Sequence, residues 1–229
     1  MTLYIPDRAV VPKPELADPV DYYYRPLTGK IYRDRLEISM SMLGDQKSDA
    51  LLEVGYGSGI LLPELARRTR RLVAIDIHGE SALVYKLLEH EGVKAELYQA
   101  DLYDMPFADG EFDALACFSV LEHLRDLDGA LREFARVTRP GAILAFGFPV
   151  RNLITDTFFR LAHFDPRKIH PSSHRDIERA VRRQPLLTLE KVRMFPRYVP
   201  ADLSLYCSCR CIRTTGEAPS RSRPREATS

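Results

Sequence analysis

The stretch Glu53-Val54-Gly55-Tyr56-Gly57-Ser58-Gly59 decides how the chain reads. It follows a short apolar run, Ala50 to Val54, and precedes a helical pattern over Leu61 to Arg68. Glycines at alternate positions let a strand turn sharply into a helix, and they let a ligand reach the main chain with no Cβ in the way. The N–H groups that open the helix then face that ligand. Pro63 fits this reading if the regular helix begins near Leu62, because the first turn has no use for the missing donor. A dinucleotide fingerprint needs a third glycine three residues after the second, and Ile60 holds that position. The loop is therefore a binding turn that breaks the NAD pattern.

Outward from the loop, short apolar runs alternate with amphipathic stretches between residues 50 and 150, the pattern of βαβ units around a parallel sheet. The fold class is α/β. After Ala50 to Val54 the strand-like runs are Leu72 to Asp76, Ala95 to Gln99, Phe112 to Phe118 and Ile143 to Phe148. Ser81 to Glu91 sets Leu83, Val84, Leu87 and Leu88 on one helical face and stops at Gly92. Asp126 is placed to cap a helix with Leu127, Leu131, Phe134 and Ala135 inward, and Pro140-Gly141 breaks the chain before the fifth strand. Residues 1–49 read as an N-terminal cap, proline-rich and then helical from Gly29 with Ile31, Leu36, Ile38 and Met42 on one face. Residues 151–185 read as a helical insertion, with helices over Asn152 to Phe164 and Ser172 to Arg183 and a polar linker between them. Residues 186–213 carry two strands, Leu187 to Phe195 and Leu203 to Ile212, expected to pair as an antiparallel hairpin at the sheet edge. Residues 214–229 are polar and read as a disordered tail.

The chain has 229 residues, 45% hydrophobic and 28% charged, enough for one ordinary core. With 33 Lys+Arg against 32 Asp+Glu the net charge is +1, so no global field steers the protein toward nucleic acid or anionic lipid. No apolar run approaches the roughly 18 residues that cross a bilayer. A cytoplasmic protein with reduced thiols is expected, since only four cysteines occur. Cys207, Cys209 and Cys211 alternate along a strand, about 7 Å apart on one face, which suits core packing better than zinc.

The loop has companions in order along the chain. Val73-Ala74-Ile75-Asp76 ends the second strand on an acid, Gln99-Ala100-Asp101-Leu102 follows the third, Phe112-Asp113 leads through the fourth to Leu121-Glu122-His123-Leu124, and Arg136-Val137-Thr138-Arg139-Pro140-Gly141 precedes the fifth. Together with Glu-x-Gly-x-Gly-x-Gly, this series resembles the class I S-adenosylmethionine-dependent methyltransferases of the type 11 group over residues 50–148. The resemblance implies a Rossmann-like sheet of seven mostly parallel strands with helices on both faces, and S-adenosyl-L-methionine as cofactor with S-adenosyl-L-homocysteine as product. Its cofactor residues would be Glu53, Gly55, Tyr56, Gly57, Gly59, Asp76, Ile77, Asp101, Leu102 and Phe118. A strand-end carboxylate such as Asp76 can accept from two ribose hydroxyls, Asp101 can accept from the adenine amine, and Ile77 and Leu102 flank the ring.

Methyl transfer needs alignment more than a dedicated acid or nucleophile. His123 is the first candidate for a base, because in the family the segment after the fourth strand lies beside the methyl group, and His174 is the second. Cys117-Phe118-Ser119-Val120 stands where amino-group methyltransferases of DNA and protein amides carry an Asp or Asn, two prolines and an aromatic. Glu122-His123 resembles the Glu-x-x-Glu-His metal signature of ubiquinone-biosynthesis O-methyltransferases, but Ser119 replaces the first Glu, so no metal is assigned; His163, Asp165, His170 and His174 lie on a polar linker. The apolar residues of 152–164, with Phe158 and Phe159, are a candidate acceptor-pocket lid, and Tyr22, Tyr23 and Tyr24 beside Arg25 a candidate cofactor lid. The expected activity is methylation of a small-molecule O or N acceptor by a monomer or homodimer with no nucleic-acid partner. A macromolecule methyltransferase, using a basic face with Arg179, Arg182 and Arg183, and a non-catalytic cofactor-binding subunit remain alternatives.

Overall fold

The computed structural model describes residues 3–14, 20–26, 28–152, 170–200 and 203–216. Within them the strands are β1 (Ser48–Val54), β2 (Thr69–Asp76), β3 (Glu96–Gln99), β4 (Phe112–Phe118), β5 (Thr138–Pro149), β6 (Leu187–Phe195) and β7 (Tyr206–Arg213). They form one sheet in the order β3-β2-β1-β4-β5-β7-β6. β1 to β5 are parallel, and β7 runs antiparallel to both β5 and β6. The helices are α1 (Thr28–Met40), α2 (Leu62–Ala66), α3 (Ser81–Glu91), α4 (Leu127–Val137) and α5 (His174–Arg183), with 3-10 turns at Val20–Tyr23 and Leu121–His123. None is long and apolar enough to cross a membrane.

Strand side chains alternate between faces, and both faces are apolar here, so the sheet must be covered twice. On β2, Val73 and Ile75 join the cluster that holds Phe134 of α4 and Ile177 of α5. Leu72 and Ala74 join the opposite cluster with Leu36 of α1, Leu62 of α2 and Leu87 of α3. Strand order reverses direction at β1 and β4, so the crevice beyond their carboxyl ends is the ligand position that such sheets favour.

Local chemistry accounts for the helix limits. Pro63 lies in the first turn of α2. Gly92 ends α3 at φ +65°, Asp126 accepts from Gly129 N to start α4, and Ser173 and Asp176 form a reciprocal cap on α5. The structure corrects several expectations. Ile31 of α1 is exposed, whereas Gly29, Leu36, Ser39 and Met40 are its buried residues. Ser39 Oγ lies 2.8 Å from Ser208 Oγ, and a Cβ on Gly147 would sit 2.5 Å from that same Ser39 oxygen. Leu83 is also exposed, one position off the buried stripe of Val84, Leu87 and Leu88.

β5 begins at Thr138, before Pro140-Gly141, but its ladder jumps from Thr138 opposite Phe112 to Ile143 opposite Ala114. Pro140 has no N–H to donate and Gly141 takes φ +86°, so the four residues between bulge outward. The β6–β7 hairpin forms as expected, yet β7 rather than β6 inserts beside β5. β7 has the more apolar inner face, with Cys207, Cys209 and Cys211 buried as free thiols, while β6 is largely half-exposed at the edge. The proposed lid helix with Phe158 and Phe159, the linker residues His163 and Asp165, and the tail beyond residue 216 lie outside the described residues.

The connection between β3 and β4 carries Asp101 and Leu102 and is held by one buried cation. Arg136 donates to Glu133 at 2.7 and 2.8 Å, to Asp109 at 2.7 Å, and to the carbonyls of Phe107 and Met105 at 2.8 and 3.1 Å. Glu133 in turn accepts from Met105 N at 2.9 Å. Arg136→Met removes the counter-ion of a buried carboxylate and frees the connection, and should lower unfolding stability by about 3–5 kcal/mol. A urea midpoint within error of wild type would show that the network is dispensable.

Candidate functional site

Glu53 and Val54 end β1, and the backbone then turns through Gly55, Gly57 and Gly59, all at positive φ. Gly55 N donates to Ile75 O at 2.8 Å, which keeps the turn against the end of β2. Two of these glycines are forced by close packing. A Cβ on Gly55 would overlap Val120, and one on Gly59 would lie 2.5 Å from Val84 and 3.1 Å from Leu62. Gly59 therefore fits the loop onto α2 and α3, and it lies outside the cavity lining.

Asp76 closes the turn from the other side. Its Oδ2 accepts from Gly57 N at 2.8 Å, and its Oδ1 accepts from Ile77 N at 2.7 Å and His78 N at 3.3 Å. Oδ1 is thus committed to the chain, whereas Oδ2 holds a single amide and keeps acceptor capacity toward the cavity. His78 is a part that sequence reasoning missed. Glu80 N donates to its Nδ1 at 3.1 Å, which leaves the proton on Nε2, and Nε2 donates to Gly57 O at 3.0 Å. Its ring also meets Tyr56 edge-on at 4.9 Å. The only sequence signal was a histidine two residues past the acid.

Beyond the carboxyl ends of β1, β2 and β4 lies a cavity of about 600 Å³, within the roughly 300–1,000 Å³ usual for small-molecule sites. It collects Glu53, Gly55, Tyr56, Gly57, Asp76 and Ile77 from the first half of the site, with Asp101, Leu102, Phe118 and His123 from the second. Ile77 is 66% exposed, a flat apolar surface held open at the cavity. Asp101 accepts from Tyr103 N at 2.9 Å through Oδ1, and its other oxygen has no partner among the described residues. Glu53 is buried and its Oε2 has no hydrogen-bond partner. Burial, helped by the charge of Asp76, pushes its carboxyl up to about 8. Tyr56 OH is a second buried orphan, and burial raises that phenol to about 12. A cationic ligand carrying hydroxyls and an amine would satisfy these oxygens, and S-adenosylmethionine has that chemistry.

The far wall comes from β4 and from the chain before β1. Ser119 follows β4 in the left-handed region at φ +58°, and its Oγ lies 3.0 Å from Tyr206 Oη. Tyr23, Arg35 and Leu36 reach the same cavity, as do Val120 and Leu124. Of the tyrosine cluster, Tyr23 alone lines it; Tyr22 is exposed and Tyr24 OH donates to Pro6 O at 2.8 Å. His123 is half-exposed at the cavity, with Nε2 3.9 Å from Glu122. Ser172 N donates to Glu122 O at 3.2 Å, drawing the 170–172 segment onto this turn. His170 then stands 5.1 Å from His123, centroid to centroid. The ligand atoms of Glu122, His123 and His170 fall within 4.8 Å of one another, so the fold brings His170 to the Glu122-His123 pair that resembles a metal signature. His174 is buried at the start of α5 and lies outside the cavity lining, so the structure does not place it to meet an acceptor. Arg179 and Arg182 pair with Asp176 and Glu178, and Arg183 with Asp128, as a solvated helix face.

Residues 52–146 match a sequence family described as a methyltransferase domain. A ubiquinone biosynthesis O-methyltransferase of Hahella chejuensis is 36% identical over 105 residues, 44% of each chain. A demethylmenaquinone methyltransferase of Corynebacterium urealyticum is 37% identical over 105 residues, again 44% of each. The chain thus spans less than half the length of these curated relatives. Among solved structures, a geranyl diphosphate C-methyltransferase of Streptomyces coelicolor superposes with a TM-score of 0.67 at 16% identity, covering 91% of this chain and 88% of that one. The cyclase SpnF superposes at 0.65 with 17% identity, over 80% and 82%. One fold thus serves proteins named for different reactions, so the reaction must be argued from the site. Residues 52–146 thus match a methyltransferase domain in sequence, and the chain has the fold that class I S-adenosylmethionine-dependent methyltransferases share.

Proposed function

We propose that the chain transfers the methyl group of S-adenosylmethionine to an oxygen or nitrogen of a small molecule of secondary-metabolite, lipid or quinone type. The observation that carries this reading is the convergence of Glu53, Asp76 and Asp101 on one cavity beside an amide-lined turn, with apolar Ile77 and Leu102 between them. The named activities of the relatives support a small acceptor of quinone type, and a net charge of +1 gives no general attraction for nucleic acid.

When bound, the cofactor supplies an electrophilic methyl on a sulfonium whose charge is lost as the methyl leaves. Asp76 Oδ2 would hold a ribose hydroxyl, Asp101 an adenine N–H and Glu53 the cationic end. Phe118 and Val120, which line the cavity, would help to exclude water from the reacting groups. His123, which lines the cavity, takes the proton of a hydroxyl acceptor.

Calorimetric titration should show S-adenosylhomocysteine binding, Asp76→Ala weakening it at least tenfold, and NAD binding far more weakly; comparable NAD affinity would remove the assignment. With labelled S-adenosylmethionine and a panel of phenols and quinols, His123→Ala should lower kcat about 10²–10⁴-fold with S-adenosylhomocysteine affinity unchanged. An unaltered kcat would exclude it as the base.

Glu53 also makes binding depend on pH. Its folded value, about 8, exceeds the ordinary 4.5, so the ligand-free protein keeps a proton at pH 7 that the cationic ligand displaces. Affinity for S-adenosylhomocysteine should therefore rise from pH 6 to pH 8 and then level, and Glu53→Gln should flatten the curve. The stability sign is opposite. The proton favours the ligand-free fold below pH 4.5, and that contribution is lost as pH climbs through 8. A flat wild-type binding curve would contradict the assignment of Glu53 to the cationic end.

A further inference from the structure

Arg35, on α1, is the one arginine or lysine among the described residues that line the cavity. Its Nη2 donates to Tyr23 Oη at 3.1 Å, its guanidinium lies over the Tyr32 ring at 3.9 Å from the centroid, and Tyr206 stands 5.3 Å away. Its Nε is buried with no acceptor, and no carboxylate among the described residues comes within ion-pair distance. The residue is half-buried and lines the cavity. Glu122 is near enough for the Arg35 charge to be felt at its carboxyl, yet no ion pair joins the two.

The contrast with the other deep arginines is chemical. Arg136 is matched by Glu133 and Asp109, and Arg213 donates to the carbonyls of Ala135, Thr214 and Gly216. A guanidinium has five N–H donors, and Arg35 spends one of them on a phenol. Aromatic faces offset part of the cost of burying the charge, but they cannot accept in-plane hydrogen bonds. An anionic oxygen pair can, in the two-pronged geometry that distinguishes arginine from lysine. The carboxylates of this cavity come from β1, β2 and the turn after β3; the lone cation comes from the chain that precedes β1. Tyr23, Leu36 and Phe118 provide the apolar walls around it.

We propose that the methyl acceptor is an apolar or aromatic molecule bearing an anionic oxygen group, carboxylate or phosphate, that docks on Arg35. This rests on reading the cavity as a methyl-transfer site. The probes are benzoate and phenyl phosphate, with benzamide as the neutral counterpart, titrated into protein with and without S-adenosylhomocysteine and followed by ligand-observed NMR. At least one anion should bind ten times more tightly than benzamide, with the tighter of the two naming the group. Arg35→Gln should abolish that preference, Arg35→Lys should retain part of it, and both should bind S-adenosylhomocysteine within about twofold of wild type. Equal binding of benzamide and both anions, or anion binding unchanged in a folded Arg35→Gln or Arg35→Lys protein, overturns the proposal. Arg35-dependent anion binding in a protein that takes no S-adenosylhomocysteine would uphold the anion site and refute methyl transfer instead.

Discussion

The carboxylate of Asp76, accepting the amide of Gly57 at 2.8 Å, is the contact on which the rest of the site depends. It joins the end of β2 to a turn that leaves the end of β1. Neither element could hold that geometry alone, since three glycines at positive φ carry a high conformational entropy. His78 secures the same turn through the Gly57 carbonyl. With both polar groups of Gly57 engaged, the loop is fixed before any ligand arrives, and preorganisation of this kind lowers the cost of binding.

Fixing the loop brings like charges together. Glu53 and Asp76, both buried, share a wall, and burial, helped by the Asp76 charge, keeps the proton on Glu53. Ligand-free, the site is therefore less acidic than its residue list implies. A cation entering beside Glu53 restores the missing charge, so the local repulsion favours positively charged ligands.

The opposite wall is made by a different part of the chain and a different principle. α1 approaches β5 and β7 closely because Gly147 has no Cβ and Ser39 and Ser208 share a hydrogen bond. That close approach sets Arg35 and Tyr23 at the cavity. Small residues beside the buried Leu36 and Met40 thus let α1 come close to the sheet and position a large charged side chain.

The glycine spacing, Asp76, Asp101 and the alternating apolar runs were legible in sequence because they are local demands: a sharp turn, a strand-end acid, a period of two or four. The capping of α4 and α5 belongs to the same class, and so does the burial of Cys207, Cys209 and Cys211. Other features were decided by tertiary structure. The insertion of β7 between β5 and β6, the exposure of Ile31 and Leu83, and the bulge at Pro140-Gly141 depend on which surface each element meets. His78, Arg35 and the meeting of Glu122, His123 and His170 join residues up to dozens of positions apart. His174 was placed in the site by residue type alone and lies off the cavity. Sequence determines the chemistry that each segment carries over a few bonds; only the folded chain decides which of those chemistries share a cavity, because that follows from packing across the sheet and leaves no periodic trace in the order of residues.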